Sequence, residues 1–411
     1  MAASEIRALF AVASRPEVVS LAGGMPFVQA LNLDTMADTV QRVISERGAQ
    51  ALQYGSGQGD VRLREQILDV MEPVGVTAHP DDIVVTTGSQ MALDLVTRVF
   101  CDPGDVVLVE APSYVGALGV FASYQCDVVH VPMDGEGLVP AALEASIAAV
   151  QASGRRVKMI YTIPSFHNPA GVTQGAQRRS ENLQVAQRAG VLVLEDDPYG
   201  LLGFEGEAPR AMRADDETGV IYLGSFSKTI ASGLRVGWAV APHGVREKLV
   251  LAAESAVLCP SNFSQLTVSE YLATQPWREQ IKIFQELYRE RRDALLESME
   301  SLLPPGTAWT TPSGGFYSWV TLPNGLDSKA MLPRALAALV AYVPGTGFYV
   351  DGSGRHNLRL SYCYPEPDRI REGVRRLATV VRAELDLTTT FGTSSGLHEP
   401  AGSGIPAPNL H

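Results

Sequence analysis

The sequence predicts an α/β fold built on a parallel or mixed sheet covered on both faces. Two patterns lead there. From about residue 50 to 250, short β-rich runs alternate with helical stretches. The runs are apolar, as strands buried between helix layers are. Size agrees: 411 residues, 45% of them hydrophobic, support a large core and suggest two domains or one large α/β unit.

In chain order, residues 1–14 read as an amphipathic helix. The run "ALFAVA" lacks a basic flank, follows Glu5 and Arg7, and is shorter than a secretory apolar core. "EVVSLAGGMP" reads as a short strand breaking into a glycine turn. Seven strand-like runs follow: "DIVVTTG", "VVLVE", "CDVVHVPM", "VKMIYTIP", "GVLVLEDD", "VIYLGS" and "RVGWAVAP". Helical patterns lie between them, for example over 89–100 and 175–189. From Asn262 to Leu303 the pattern stays helical, with a 3.6-residue apolar stripe that ends at a Pro-Pro break. This stretch leads into a second unit with "GGFYSWVTLP", "MLPRALAALVAYVPG" and "NLRLSYCY", read as strand, helix and strand. A last helix is expected over roughly 366–386, then a Thr, Ser, Gly and Pro-rich flexible tail. No internal repeat is evident. The expected division is 1–45 joining the small domain, 46–285 large domain, 286–388 small domain and 389–411 tail.

Composition excludes several functions. Net charge is −12, from 45 acidic and 33 basic side chains, so the chain offers no basic face to a nucleic acid. Cys101, Cys126, Cys259 and Cys363 form no CxxC pair, which fits free thiols in a reducing cytoplasm. The histidines show no metal-ligand spacing. No apolar stretch spans a bilayer; residues 330–345 come nearest, interrupted by Arg334 and two prolines. A cytoplasmic protein with no metal, membrane or nucleic-acid partner is expected.

Four segments carry chemistry. In "TTGSQMALDLVTRVF" a strand ends, Gly88 turns the chain and a helix starts at Ser89-Gln90. Free N–H groups at such a start attract phosphate, although an ordinary serine cap explains the same letters. In "SFHNPAG", Asn168 offers an amide after a strand, where Asn-Pro alone would mark a turn. "LEDDPYG" places Glu195, Asp196 and Asp197 at a strand end, where α/β sheets face their ligands; Asp-Pro also favours a turn. "SFSKTIASGLR" holds Ser225, Ser227, Lys228 and Arg235. Lys228 alone among five lysines lies between two apolar runs, and an ammonium there needs a partner or a lowered pKa. The hydroxyls and guanidinium suit phosphate oxygens. No Walker motif occurs, and "GSGQG" and "PGTG" read as turns. One small molecule uses all four segments: pyridoxal 5′-phosphate needs a lysine, a carboxylate for its ring nitrogen and a phosphate cradle.

With these residues stand the ordered motifs "SLAGGMP", "LQYGSGQGDVRLRE", "APSYVG", "PSGGFYSWV", "VPGTGFY" and "NLRLSY". On them the chain resembles fold-type I pyridoxal-phosphate enzymes, in the aminotransferase branch that contains 2-aminoadipate and kynurenine aminotransferases. The resemblance covers about residues 4–386. It implies a large domain with a mixed, mostly parallel seven-stranded sheet between helices, plus a smaller α/β domain. It implies that Lys228 binds the cofactor covalently as a Schiff base and that Asp196 pairs with the pyridinium nitrogen. Asn168 and Tyr199 would hydrogen-bond the ring 3-oxygen, and Tyr114 would stack on the ring. Ser89, Gln90, Ser225, Ser227 and Arg235 would hold the phosphate. Arg359 would clamp the substrate α-carboxylate, and the Gly24 backbone would touch substrate. Tyr54 resembles a tyrosine that crosses a homodimer interface to the neighbouring site. Arg7 matches a helix arginine that can pair with an acidic substrate; a surface helix charge explains it equally simply.

The usual "QNPTG" is "HNPAG" here, with His167 in place of an amide and Ala170 in place of a hydroxyl. His167 reads either as a tolerated variant or as a titratable group near the site. The implied activity is transamination from an L-amino acid to a 2-oxo acid such as 2-oxoglutarate, with Lys228 as general base. The alternative on the same scaffold is a lyase or synthase performing β- or γ-elimination, replacement or ring closure, as 1-aminocyclopropane-1-carboxylate synthase does on S-adenosylmethionine. Two further readings fit less well. A transcription regulator with an aminotransferase-like domain needs a DNA-binding domain before residue 4, and a nucleotide-binding protein needs better glycine fingerprints.

Overall fold

Apolar strands that end in polar loops generate the large sheet. A computed structural model describes residues 15–391 except residue 324. The expected helix over 1–14, with Arg7, and residues 392–411 of the expected tail lie outside the described residues. Strand β1 (Val19–Ser20) leads through a glycine turn to helices α1 (Leu33–Ala51) and α2 (Val61–Met71). Both are capped by side chains: Asn32 accepts from Thr35 N and Asp60 from Leu63 N, each at 3.0 Å. Then come β2 (Ile83–Thr86), α3 (Ser89–Phe100), β3 (Val106–Ala111), α4 (Val115–Ser123), β4 (Asp127–Asp134), β5 (Gly137–Leu138), α5 (Pro140–Ala152) and β6 (Val157–Thr162). α6 (Ala176–Ala189), β7 (Leu192–Asp196), β8 (Val220–Ser225) and β9 (Gly237–Val240) complete the layer. The spatial order is β2-β9-β8-β7-β6-β3-β4-β5. All seven expected strands are present. The two-residue β5, paired antiparallel to β4, extends the edge to eight. Strands β4, β3, β6, β7 and β8 run parallel, and β9 is antiparallel to both β8 and β2.

Helix α7 (His243–Val257) packs back on the large layer, and the expected long helical stretch is two helices, α8 (Asn262–Thr274) and α9 (Trp277–Leu302). Pro276 explains the break: it lacks an N–H and pushes Gln275 into an extended conformation, at φ −113° and ψ 151°. After α9 come β10 (Ala308–Trp309), β11 (Tyr317–Thr321), α10 (Ser328–Ala337), β12 (Val340–Ala341), β13 (Val343–Pro344), β14 (Asn357–Ser361) and α11 (Pro367–Phe391). Four of these strands form an antiparallel sheet in the order β10-β11-β14-β13. β1 pairs with β12 in parallel, Val19 opposite Val340, so the N-terminal segment lies against this second unit. The boundaries expected at 45, 285 and 388 fall inside the continuous helices α1, α9 and α11.

One apolar core runs from Val85 and Trp238 of the large sheet, past Phe284, Tyr288 and Leu295 of α9, to Val320 and Leu358 of the small sheet. Two polar devices on α9 hold the N-terminal segment. Tyr288 accepts a hydrogen bond from Phe27 N at 3.0 Å. The fully buried Arg291 lies 4.0 Å over the Phe27 ring and donates to Cys363 O at 2.6 Å. Tyr288→Phe removes the acceptor for Phe27 N–H and is expected to lower stability by about 1 kcal/mol. In urea denaturation this shows as a lower midpoint with an unchanged slope.

Candidate active site

Strands β2, β7 and β8 deliver the polar segments to one place. In open α/β sheets ligands bind outside the carboxyl ends of strands. Here Gly88 follows β2, Asp196 ends β7 and Ser225 ends β8, and all three segments contribute to one cavity of about 320 Å³.

At one end of the cavity lies an anion cradle. Helix α3 begins at Ser89 without a side-chain cap, because its N-cap is Gly88 at φ 78°. Its first N–H groups therefore keep their donor capacity. Gly237 of β9 passes under this turn so closely that a Cβ would lie 2.5 Å from Ser89 N. Ser225 Oγ accepts from Ser227 N at 3.1 Å, and Arg235 donates through Nη1 to Ser227 Oγ at 3.2 Å. Arg235 Nη2 reaches Thr87 O at 3.3 Å. Ser89, Gln90, Ser225, Ser227 and Arg235 thus line one pocket, rich in donors. Gln90 also accepts from the Tyr114 hydroxyl at 3.2 Å, which fixes that ring at the cavity wall.

Lys228 sits in a short π-helical turn, Ser227–Ala231, and its Nζ donates to Gly24 O at 3.0 Å. Burial, with Arg359 and Arg235 nearby, pulls its pKa down to about 8. Burial, together with the negative charge of Asp197, pushes Asp196 up to about 7. Asp196 Oδ2 accepts from the Tyr161 hydroxyl at 2.7 Å, while its buried Oδ1 has no partner. Its neighbours do not line the cavity, although Asp197 Oδ1 is likewise buried without a partner. Glu195 accepts from Met212 N and Arg213 N, both at 2.8 Å, and Asp197 from the Tyr222 hydroxyl at 3.2 Å. Of the three acids, only Asp196 lines the cavity.

The far wall comes from the small sheet and the N-terminal segment. Arg359 of β14 is 4% exposed, so it is no solvent-facing edge residue. It donates to Asn168 Oδ1 and to Ala22 O, both at 2.8 Å, and its Nε has no partner. Its guanidinium lies 4.2 Å over the Tyr317 ring. Tyr199 is buried beside Asn168, and burial holds its hydroxyl well above the usual phenol range. The structure thus gathers Gly24, Asn168, Tyr199, Lys228 and Arg359 around one space. Tyr54 is 77% exposed and does not line this chain's cavity, and His167, fully buried, does not line it either.

Two residues at the site escaped the sequence reading. Tyr317 lines the cavity and presses its hydroxyl against Gly24, where a Cβ would collide with it. It lay inside the motif "PSGGFYSWV", but only the β11–β14 register, with Trp319 opposite Arg359, brings it beneath the guanidinium. Tyr161 read as one more apolar strand residue until its hydroxyl met Asp196.

These groups fit pyridoxal 5′-phosphate. An unpartnered buried carboxylate oxygen suits a pyridinium N–H, the cradle suits a phosphate, and an amine with lowered pKa suits a carbonyl. Among the described residues no group of His, Cys, Asp or Glu could hold a metal ion, and no helix is long and apolar enough to cross a membrane.

Without a cation beside it, ionised Asp196 is a cost. Its folded pKa of about 7 exceeds the ordinary 3.8, so its contribution to stability is full below that value and is lost as pH rises through about 7. In the cofactor-free protein, Asp196→Asn is expected to remove this loss. Thermal midpoints should favour the variant increasingly from about pH 4 to about pH 8, and a constant gap over that window would contradict the assignment.

The chain matches the aminotransferase class I and II family over residues 16–377. It is 42% identical to aromatic-amino-acid aminotransferase 1 of Thermococcus litoralis, over 94% of this chain and 93% of that protein. It superposes on the Pyrococcus horikoshii kynurenine aminotransferase, solved with PMP, with a TM-score of 0.90. That match is 40% identical and covers 94% of this chain and 96% of the other. The α-aminoadipate aminotransferase LysN of Thermus thermophilus, solved with N-(5′-phosphopyridoxyl)-L-leucine, gives a TM-score of 0.85 at 38% identity, over 94% and 96% of the two chains. A family match over most of the chain and nearly full-length likeness to these enzymes lead to one conclusion: the chain belongs to the pyridoxal-phosphate-dependent class I and II aminotransferases.

Proposed function

We propose that this aminotransferase takes its amino group from L-amino acids, aromatic ones included, and passes it to a 2-oxo acid such as 2-oxoglutarate. The observation that carries the reading is the pairing within one cavity of a buried carboxylate clamp, Arg359, with an amine of lowered pKa, Lys228. Aromatic and aminoadipate-type donors are named for the relatives, and the apolar Met25, Val115 and Ile163 beside the cavity suit large apolar side chains.

When bound, pyridoxal 5′-phosphate supplies a carbonyl that condenses with amines and a ring that accepts the electrons of the Cα–H bond. The chain's own residues do the rest. The N–H groups at the start of α3, Ser89, Gln90, Ser225, Ser227 and Arg235 hold the phosphate and so fix the ring. Asp196, whose Oδ1 is free, would hold a proton on the ring nitrogen. Asn168 and Tyr199 would hold the ring 3-oxygen, and Tyr114 would cover one ring face. Arg359 holds the substrate carboxylate and thereby sets the direction of the Cα–H bond. Lys228 Nζ, with a pKa near 8, is partly neutral at physiological pH and accepts the Cα proton as general base. Tyr317, packed on both Gly24 and Arg359, limits the space on the carboxylate side.

A homodimer and the four-part division of the chain go with this reading. Tyr54 and Leu52, 77% and 75% exposed, form an apolar edge that a second copy would cover. Tyr54 would then serve the neighbouring site. Sedimentation should give a dimer near twice 44.1 kDa.

The decisive experiment is a half-reaction. Loaded protein mixed with single amino acids should lose its visible absorption and yield pyridoxamine phosphate and the matching 2-oxo acid. Ammonia release, or no conversion across the standard amino acids, would overturn the reading in favour of elimination or cyclisation. Lys228→Ala should abolish turnover and the lysine-linked band. Arg359→Gln should raise the amino-acid KM about 10- to 100-fold, the worth of a charged hydrogen bond, with a smaller change in kcat.

A further inference from the structure

The cavity is backed by a polar pair that the mechanism above does not use. Glu110 of β3 and His167 are both fully buried, and neither lines the cavity. The Glu110 carboxylate gathers donors from three segments. Its Oε1 accepts from Thr162 Oγ1 at 2.8 Å and Gln174 Nε2 at 2.9 Å. Its Oε2 accepts from Ile163 N at 2.8 Å and stands 3.0 Å from His167 Nε2, although without the alignment of a good hydrogen bond. Burial alone would raise this carboxyl, and the hydrogen bonds from Ile163 N–H and Thr162 Oγ1 oppose that.

The other ring nitrogen decides the tautomer. His167 Nδ1 accepts from Ala170 N at 3.1 Å, so it carries no proton, and the ring proton sits on Nε2 facing Glu110. The backbone of His167 is tied as well: its N–H donates to Val172 O at 2.8 Å and its carbonyl accepts from Gly171 N at 2.6 Å. The turn over 168–171 therefore closes on His167 at both ends. Its first residue is Asn168, whose Oδ1 accepts from Arg359 Nη1. With Oδ1 taken, the Nδ2 side of that amide is the side left to face an acceptor.

We infer that Glu110 and His167 are positioning residues: the pair holds the turn that presents Asn168, and through Asn168 fixes both the amide offered to the cofactor 3-oxygen and the Arg359 clamp. The inference rests on the role given to Asn168 above. Glu110 anchors to the ends of β3 and β6, so the imidazole transmits the rigidity of the sheet to a loop. A glutamine at 167 can return a donor to Glu110. An asparagine can accept from Ala170 N–H but is too short to reach Glu110.

The test reads cofactor affinity, not turnover. Fluorescence titration of cofactor-free protein with pyridoxal 5′-phosphate gives Kd for wild type, Asn168→Ala, His167→Ala, His167→Gln and the His167→Ala/Asn168→Ala double variant. His167→Ala should weaken binding about 10-fold, and His167→Gln should stay within about 3-fold of wild type. The double variant should bind within about 2-fold of Asn168→Ala alone, because the two residues act in series. His167→Asn should show the same loss and serves in place of an alanine variant that does not fold. Wild-type affinity in folded His167→Ala or His167→Asn, or losses that multiply in the double variant, would overturn the inference. If Asn168→Ala itself binds like wild type, the role of Asn168 falls and this inference with it. The Lys228→Ala band separately decides whether the site as a whole was read correctly.

Discussion

Asp196 is buried at the end of a parallel strand with one oxygen satisfied and one free, and the rest of the site depends on that arrangement. A carboxylate in such a place is pushed towards neutrality, and a cation beside it would hold it ionised. Lys228, at the other side of the cavity, is pushed the opposite way by the same burial. The site thus contains an acid and a base both drawn towards their neutral forms. On the proposed roles, a pyridinium beside one and a carbonyl beside the other would relieve both penalties, and the desolvation cost would be recovered as binding energy.

The site is assembled from three regions of chain. The large sheet brings the cradle, Asp196, Asn168 and Lys228. The small sheet brings Arg359 and Tyr317. The N-terminal segment brings the Gly24 carbonyl and Ala22 O. Hydrogen bonds tie each region to another, Arg359 to Asn168, Arg359 to Ala22 and Lys228 to Gly24. On the proposed roles, a substrate held by Arg359 and acted on by Lys228 would touch every one of these joints. The continuous core through α9 holds the regions at one spacing, which matters because a clamp misplaced by about 1 Å loses much of its orienting effect.

Much of this was legible in the letters. Each large-sheet strand showed as an apolar run ending in a polar loop. Asp196 was singled out among the three acids mainly by the resemblance of its motif; in the structure both Glu195 oxygens accept from backbone N–H groups, Asp197 Oδ2 accepts from Tyr222, and only Asp196 lines the cavity. Other features were hidden for specific reasons. The α8–α9 break was missed because the apolar stripe continues across Pro276, and periodicity outweighed a single breaker. Tyr317 was missed because its place under Arg359 is a matter of strand register, between residues far apart in the chain. His167 showed as a departure from a motif, while its partner Glu110 looked like one more strand residue.

By itself, the sequence determined what depends on near neighbours. That includes the alternation of strands and helices, the glycine turn before α3, the order of the four cofactor segments and the single lysine between apolar runs. Tertiary structure decided what depends on distant partners: which carboxylate oxygen is left free, that Arg359 is buried rather than solvent-facing, that Tyr317 and Tyr161 belong to the site, and that Glu110 stands behind Asn168. The physical reason is range. Propensity, capping and alternation act within a few residues, whereas desolvation and hydrogen-bond pairing are set by whatever chain packs alongside.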